Sequence, residues 1–107
     1  MKSISAPDLA AWLADASRQQ PLLLDVREPW EFEKARIEGA QLVPMREVPN
    51  RLAEIDPDSE IVAICHHGGR SMQVALFLEK AGYGKVHNLT GGVDAWSRTV
   101  DSSVPLY

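Results

Sequence analysis

Apolar residues recur along this chain in short, nearly continuous runs bounded by turn-forming residues. One such run, LLLDV at 22–26, follows Pro21. A run of this length is typical of a strand buried on both faces, as in parallel sheets. Three similar runs follow it, so we predict strands at 22–26, 41–43, 60–64 and 86–89.

The segments between these runs carry apolar residues at helical spacing. Ser5 and Asp8 resemble a capping box, and Leu9 and Trp12 follow on one helix face. Further helices are predicted at 28–32, 46–55, 70–81 and 93–98. Because strands and helices alternate over the whole length, we predict an α/β fold with a mostly parallel sheet and helices on both faces.

The same pattern predicts where several individual side chains lie. Asp25 ends a buried strand and is expected to accept backbone hydrogen bonds, while Arg27 is expected to form an ion pair with Glu31. A further group is expected to be buried or partly buried by its spacing. Its members are Trp12, Trp30, Trp96, Met72, Ala75, Leu76 and Leu78.

Length and charge narrow the class of protein. The 107 residues, 45% apolar and 24% charged, fit one globular domain over 1–107, with a core at about 5–98 and a short irregular C-terminal tail. The net charge of −4 is spread along the chain and does not suggest a nucleic-acid partner. No apolar run approaches the roughly 20 residues that span a membrane, and no signal peptide is evident, so we expect a cytoplasmic protein.

Cys65 is the one cysteine of the chain, which excludes an intrachain disulfide and a CxxC site. A lone cysteine is either a small buried apolar residue or a reactive thiolate. Cys65 ends a predicted buried strand, and ligands of open parallel sheets bind beyond the carboxyl ends of strands. Its position therefore favours the reactive interpretation.

The residues after the cysteine form a loop that suits a sulfur anion. Gly68 and Gly69 allow positive φ, so amide N–H groups can point inward together, and the following helix N-terminus adds donors. Arg70 adds a permanent cation for an anionic ligand. Three roles are open for His66 and His67: they act as general acids, they bind a sulfur donor, or they are solvated loop residues without a role in the reaction. We expect no metal, because three consecutive side chains cannot easily turn onto one ion.

The spacing from Cys65 to Arg70 is C-x4-R. Cysteine-dependent phosphatases have a similar layout with C-x5-R, whose wider loop encircles a tetrahedral oxyanion. A loop one residue shorter forms a tighter ring, which matches a single sulfur atom better.

Four segments together resemble the rhodanese family, especially its single-domain thiosulfate sulfurtransferases. They occur in the family's order and cover about Ser5 to Trp96. The segments are 22–28 (LLLDVRE) with Glu31-Phe32, 37–40 (IEGA) with Pro44, 65–71 (CHHGGRS) and 89–96 (LTGGVDAW).

This resemblance implies a central five-stranded parallel sheet between helices and a double-displacement reaction that needs no cofactor. Cys65 would attack the outer sulfur of a small anionic donor such as thiosulfate. The sulfur would then pass to cyanide or a thiol. By the same resemblance, the amides of residues 66–70 would hold the persulfide and Arg70 would help bind the donor.

The chain departs from the family pattern at two places. Ala35-Arg36 stand where Gly-His is usual, and we expect this change to alter local packing only. His66 and His67 stand where some thiosulfate-specialised relatives carry Arg and Lys. Neutral imidazoles attract a dianion less than permanent cations do, which weakens thiosulfate as a donor.

Three functions therefore remain. The first is a sulfurtransferase that works through a Cys65 persulfide. The second is a rhodanese-like sulfur-relay or binding module that exchanges sulfur with a protein partner. The third, a phosphatase or arsenate reductase, is disfavoured by the short loop and by the absence of a second cysteine.

Overall fold

A five-stranded sheet, parallel throughout, forms the centre of the molecule in the computed structural model, which describes all residues 1–107. Its strands lie in the order β1-β5-β4-β2-β3, and their bounds are β1 Lys2–Ile4, β2 Leu22–Asp25, β3 Gln41–Leu42, β4 Ile61–Ile64 and β5 Val86–Leu89. The predicted α/β class and parallel sheet are confirmed. The hydrophobic pattern misses β1, because two of its three residues are exposed and polar.

Four helices pack around the sheet. Their bounds are α1 Ala6–Ala14, α2 Pro29–Lys34, α3 Gly69–Lys80 and α4 Gly92–Thr99. The predicted cap is present, since the Ser5 hydroxyl accepts the Asp8 amide at 3.2 Å. None of the helices is both long enough and apolar enough to cross a membrane.

The helix predicted at 46–55 is wrong. This segment forms two 3-10 helices, Met45–Asn50 and Leu52–Glu54. Pro49 lies inside the first of them, and a proline has no N–H with which to continue an α-helical ladder.

The side chains of β4 alternate between two apolar cores, one on each face of the sheet. Ile61 and Ala63 pack with the inner face of α3, whereas Val62 and Ile64 pack with α1 and α4. Because both faces are covered, all four residues of this strand are buried. The strand therefore delivers Cys65, the next residue, to the interior of the molecule.

Two of the residues expected to be buried or partly buried are exposed instead. Trp30 is 61% exposed and Leu76 is 45% exposed, because each lies on the outer face of its helix. The other expectations hold: Met72 is partly buried, and the fully buried residues are Trp12, Trp96, Ala75 and Leu78.

The strand order creates a crevice at the carboxyl ends of β2 and β4. These strands are neighbours, but the chain leaves β2 toward β3 on one side and leaves β4 toward β5 on the other. Ligands of open α/β sheets bind at such a switch point. Asp25 and Cys65 lie on its two sides.

A fully buried ion pair closes the β2 side of the crevice, and it differs from the pair expected there. Arg27 binds Asp25 rather than the Glu31 carboxylate, with Nη2 at 2.7 Å from Oδ2 and Nε at 2.9 Å from Oδ1. Asp25 also accepts the Arg27 amide at 3.1 Å, which confirms its expected backbone bond. Arg27 Nη2 reaches the Ala35 carbonyl at 2.6 Å, so the guanidinium ties β2 to the end of α2.

We expect the Arg27→Met variant to lose about 3 kcal/mol or more of unfolding free energy, because it leaves the Asp25 carboxylate buried without its ionic partner. Urea denaturation followed by circular dichroism measures the loss. The double variant with Asp25→Asn serves as control and should recover part of it, since no unpaired charge then remains. Equal stability of the single and double variants would contradict the role of the buried charge.

Candidate functional site

Cys65 follows β4 directly and is only 1% exposed. Its Sγ lies 3.0 Å from the backbone nitrogen of Gly68 and 3.3 Å from the hydroxyl oxygen of Ser71, both of which can donate to it. Gly68 has φ +111°, a conformation that glycine adopts without strain, and this turns its amide back toward the sulfur. Gly69 does not share this role, because it is already the first residue of α3.

Ser71 and Asn88 form a buried polar pair that the sequence analysis does not assign. The Ser71 hydroxyl hydrogen-bonds to Asn88 Oδ1, and Asn88 Nδ2 donates to the Gly68 carbonyl at 3.1 Å. A hydroxyl carries one hydrogen, so Ser71 donates either to Asn88 or to the sulfur. It can accept from a Cys65 thiol in the first arrangement and donate to a sulfur anion in the second.

The first turn of α4 fixes the backbone of the Cys65 loop. The amide of Val93 donates to the Cys65 carbonyl at 2.9 Å, and the amide of Asp94 donates to the His66 carbonyl at 3.1 Å. Gly92 makes this approach possible: a Cβ at that position would lie 2.3 Å from the Cys65 carbonyl oxygen. Gly92 of the closing motif therefore serves the cysteine loop.

Arg70 lies beside the loop, but its charge is already paired. Its Nη1 and Nη2 donate to the two carboxylate oxygens of Glu31 at 2.6 and 2.9 Å. This pair lowers the pKa of Glu31 to about 2 and raises the pKa of Arg70. Glu31 thus has Arg70 as its ionic partner, in place of the Arg27 expected from the sequence.

The two histidines after Cys65 have different environments. His66 is partly buried, and its Nε2 is buried without a hydrogen-bond partner. Burial, together with the neighbouring His67 charge, lowers the pKa of His66, so its imidazole is neutral at pH 7. His67 is exposed. Neither ring adds a permanent cation next to the sulfur.

The structure also brings Asp94 to these histidines. One potential ligand atom from each of His66, His67 and Asp94 lies within 4.8 Å of the other two. Cys65 is not part of this group. Sequence spacing does not predict this group, because Asp94 comes from the closing motif and only the docking of α4 brings it to the loop.

Comparison with known proteins agrees with this geometry. A family model described as a rhodanese-like domain matches residues 5–99. This chain belongs to the rhodanese family. A sulfurtransferase of Allochromatium vinosum is 39% identical over 98 residues, which cover 92% of this chain and 90% of that protein.

Two further similarities show the range of rhodanese contexts. The chloroplastic rhodanese-like/PpiC domain-containing protein 12 of Arabidopsis thaliana is 37% identical over the whole of this chain, which spans only 38% of that protein. The crystal structure of a rhodanese-like domain protein from Staphylococcus aureus superposes with a TM-score of 0.85 at 29% identity, covering 100% of this chain and 99% of that one. A rhodanese domain thus occurs both as nearly a whole protein and as part of a longer one.

Within this rhodanese fold, three of the four sequence motifs meet around Cys65. The first supplies Glu31, the active loop supplies Arg70, and the closing motif supplies Gly92. The second motif lies elsewhere: residues 37–40 line a surface cavity that Cys65 does not reach.

We expect Gly92→Ala to destabilise the protein by more than about 3 kcal/mol, because the new Cβ overlaps two loop carbonyls and φ is +57°. Gly39→Ala is the matched control. Gly39 also has positive φ (+87°), yet a Cβ there meets nothing within 4 Å, so we expect a loss of only about 1 kcal/mol. Urea denaturation compares the two, and equal losses would contradict the importance of the loop contact.

Glu31 should make stability depend on pH in acid. Its pKa is about 2 in the folded protein against 4.5 for an ordinary carboxyl, chiefly through the hydrogen bonds from Arg70. A lowered pKa stabilises the fold above pH 4.5 by about 3 kcal/mol, and this contribution disappears as pH falls toward about 2.

The measurement is urea denaturation of wild type and Glu31→Gln between pH 7 and pH 2. The stability gap between them should be widest above pH 4.5 and should narrow in acid. Glu33→Gln, an exposed change on the same helix, should show no such gap. A gap between wild type and Glu31→Gln that stays constant with pH would contradict the assignment.

Proposed function

We propose that this rhodanese domain is a sulfurtransferase in which Cys65 carries sulfur as a persulfide. The observation that carries the proposal is the placement of Cys65 Sγ between two hydrogen-bond donors, the Gly68 amide at 3.0 Å and the Ser71 hydroxyl at 3.3 Å. Donors in this position favour a sulfur anion. The proposal assigns catalysis to Cys65 and sulfur binding to the loop 66–70.

The reaction has two displacements. The Cys65 thiolate attacks the outer sulfur of the donor, a new S–S bond forms to Cys65, and the donor's own bond to that sulfur breaks. With thiosulfate as donor, sulfite leaves with the bonding electron pair. An acceptor thiolate or cyanide then attacks the terminal sulfur, and the Cys65 thiolate leaves with its electrons.

The Ser71 hydroxyl can change its hydrogen-bond partner as the charge on the sulfur changes in the two steps. While Cys65 is a thiol, Ser71 donates to Asn88 and accepts from the S–H group. When the sulfur becomes an anion, rotation of one O–H bond turns the hydroxyl hydrogen toward it. Asn88 keeps its bond to the Gly68 carbonyl through Nδ2, while its Oδ1 loses the Ser71 donor.

A second candidate function is sulfur relay with a protein or thiol persulfide as the donor. It is favoured by the pairing of charges at the site, because Arg70 is neutralised by Glu31 and His66 is uncharged. Attraction of a dianion such as thiosulfate needs unpaired positive charge. The reacting group of a persulfide carries one negative charge, whereas thiosulfate carries two, so a persulfide donor depends less on such attraction.

We expect Cys65→Ser to lose sulfur uptake completely, because a serine hydroxyl stays protonated at neutral pH and has no sulfur with which to form a persulfide. Intact mass spectrometry detects the gain of one sulfur atom after incubation with thiosulfate or glutathione persulfide, and its loss on addition of cyanide. Cys65→Ser should remain folded, as judged by circular dichroism. Retained sulfur transfer in this variant would overturn the proposal.

The same experiment separates the two candidates through the donor. Loading by glutathione persulfide at least about tenfold faster than loading by thiosulfate would favour relay, since Arg70 then gives the dianion little help. Faster loading by thiosulfate would favour a thiosulfate sulfurtransferase. No sulfur uptake from either donor would contradict both.

A further inference from the structure

The chain after α4 returns to the Cys65 loop. Val104 is buried, and its carbonyl accepts the Ser97 hydroxyl at 2.5 Å, which anchors this segment to α4. Beyond it, Pro105 and Leu106 are exposed, and Tyr107 is half-buried again. The segment 105–107 therefore bridges an anchor at Val104 and a contact at the site.

Tyr107 contacts three elements of the site through its side chain. Its hydroxyl accepts from Arg27 Nη1 at 2.7 Å and donates to Glu31 Oε2 at 2.9 Å. Its ring stacks on His66, with centroids 3.9 Å apart and planes 10° apart. It also meets the edge of the Trp30 ring at 5.9 Å. Burial raises the pKa of Tyr107 to about 12, so the phenol keeps the proton that it donates.

Tyr107 lies against the Cys65 loop. Its ring stacks on His66, the residue after Cys65, and its hydroxyl donates to Glu31, which binds Arg70 at the other end of the loop. The molecule has four surface cavities, and none is lined by Cys65 or by residues 66–70. Cys65 itself is only 1% exposed, so the sulfur has no open approach in this structure.

Residues 105–107 are held to the rest of the molecule mainly by the Tyr107 side chain. No backbone hydrogen bond is made by residues 105–107. The contacts that would have to break are two hydrogen bonds, two aromatic contacts, a cation–π contact with Arg27 and some apolar packing against the core, all made by Tyr107. The rest of the fold does not depend on them, so the segment can move while the sheet and helices stay in place.

We propose that Tyr107 is a specificity-determining residue that covers the mouth of the Cys65 loop and selects sulfur donors by size. A slim donor needs only a small displacement of the ring, whereas a bulky donor needs the segment 105–107 to swing away. This inference deepens the proposed function and rests on it for the identity of the ligand, a sulfane-sulfur donor. Access of a reagent to the Cys65 thiol can be measured without any sulfur transfer.

The first test uses alkylation of Cys65, which is the one cysteine of the chain and so gives a single labelled product. Intact mass spectrometry follows labelling by iodoacetamide, a small reagent, and by a polyethylene-glycol maleimide, a bulky one. Tyr107→Ala should raise the ratio of the bulky reagent's labelling rate to the small reagent's rate about tenfold. The reason is that opening of the site no longer breaks two hydrogen bonds and a ring stack.

Two further variants make the test specific. Tyr107→Phe keeps the ring but loses both hydrogen bonds, so its ratio should lie between those of wild type and Tyr107→Ala. Leu106→Ala removes a neighbouring side chain that is 51% exposed, and its ratio should match wild type. An unchanged ratio in folded Tyr107→Ala would overturn the proposal, and so would an equal rise in Leu106→Ala. If Tyr107→Ala does not fold, Tyr107→Phe decides by the same criterion.

The second test measures sulfur loading by thiosulfate and by glutathione persulfide in the same variants. Tyr107→Ala should gain more with the larger donor. If both donors speed up equally, Tyr107 does not select by size and the inference fails while the proposed function stands. If no variant takes up sulfur but the alkylation ratio changes as expected, the proposed function fails and Tyr107 remains a size-dependent cover of the thiol.

Discussion

Two hydrogen bonds from the start of α4 to the Cys65 loop hold the geometry on which the rest of the site depends. They occupy the carbonyls of Cys65 and His66 and so fix the peptide planes from which the loop turns back on itself. The amide of Gly68 can then face the sulfur at 3.0 Å. A side chain at Gly92 would separate the two segments, because its Cβ would overlap both carbonyl oxygens. A glycine remote in sequence therefore shapes the surroundings of Cys65.

Glu31 connects the side chains around the Cys65 loop, as the two hydrogen bonds from α4 connect its backbone. Its carboxylate accepts hydrogen bonds from Arg70 on α3, from the phenol of Tyr107 and from the amide of Glu28. One buried anion thus joins two helices and the segment after α4. An anion in this position persists only when its partners are in place, since an unpaired buried charge is costly. Movement of Tyr107 would remove one of these donors while leaving the ion pair with Arg70.

The sequence predicts those parts of the molecule that depend on local pattern. Apolar runs mark β2 and β4, and the position of Cys65 after β4 follows from them. Ion pairs between distant segments do not follow from local pattern. Along the chain, Arg27 could pair with either Asp25 or Glu31. In the folded protein Arg27 pairs with Asp25, and Glu31 pairs with Arg70. Asn88 and Tyr107 escape prediction for the same reason, because only the strand order and the path of the last residues bring them to the loop.

The charges around the sulfur show how such a site can stabilise an anion without attracting anions in general. The two arginines nearest the crevice are each bound to a carboxylate, and His66 is neutral, so no unpaired permanent cation faces the loop. Stabilisation is left to short-range donors, the Gly68 amide and the Ser71 hydroxyl, which act only on an atom already bound at Cys65. In the proposed sulfurtransferase, selection of the donor would then come from access and shape rather than from electrostatic steering. Tyr107, stacked on His66 at the mouth of the loop, stands where such selection would take place.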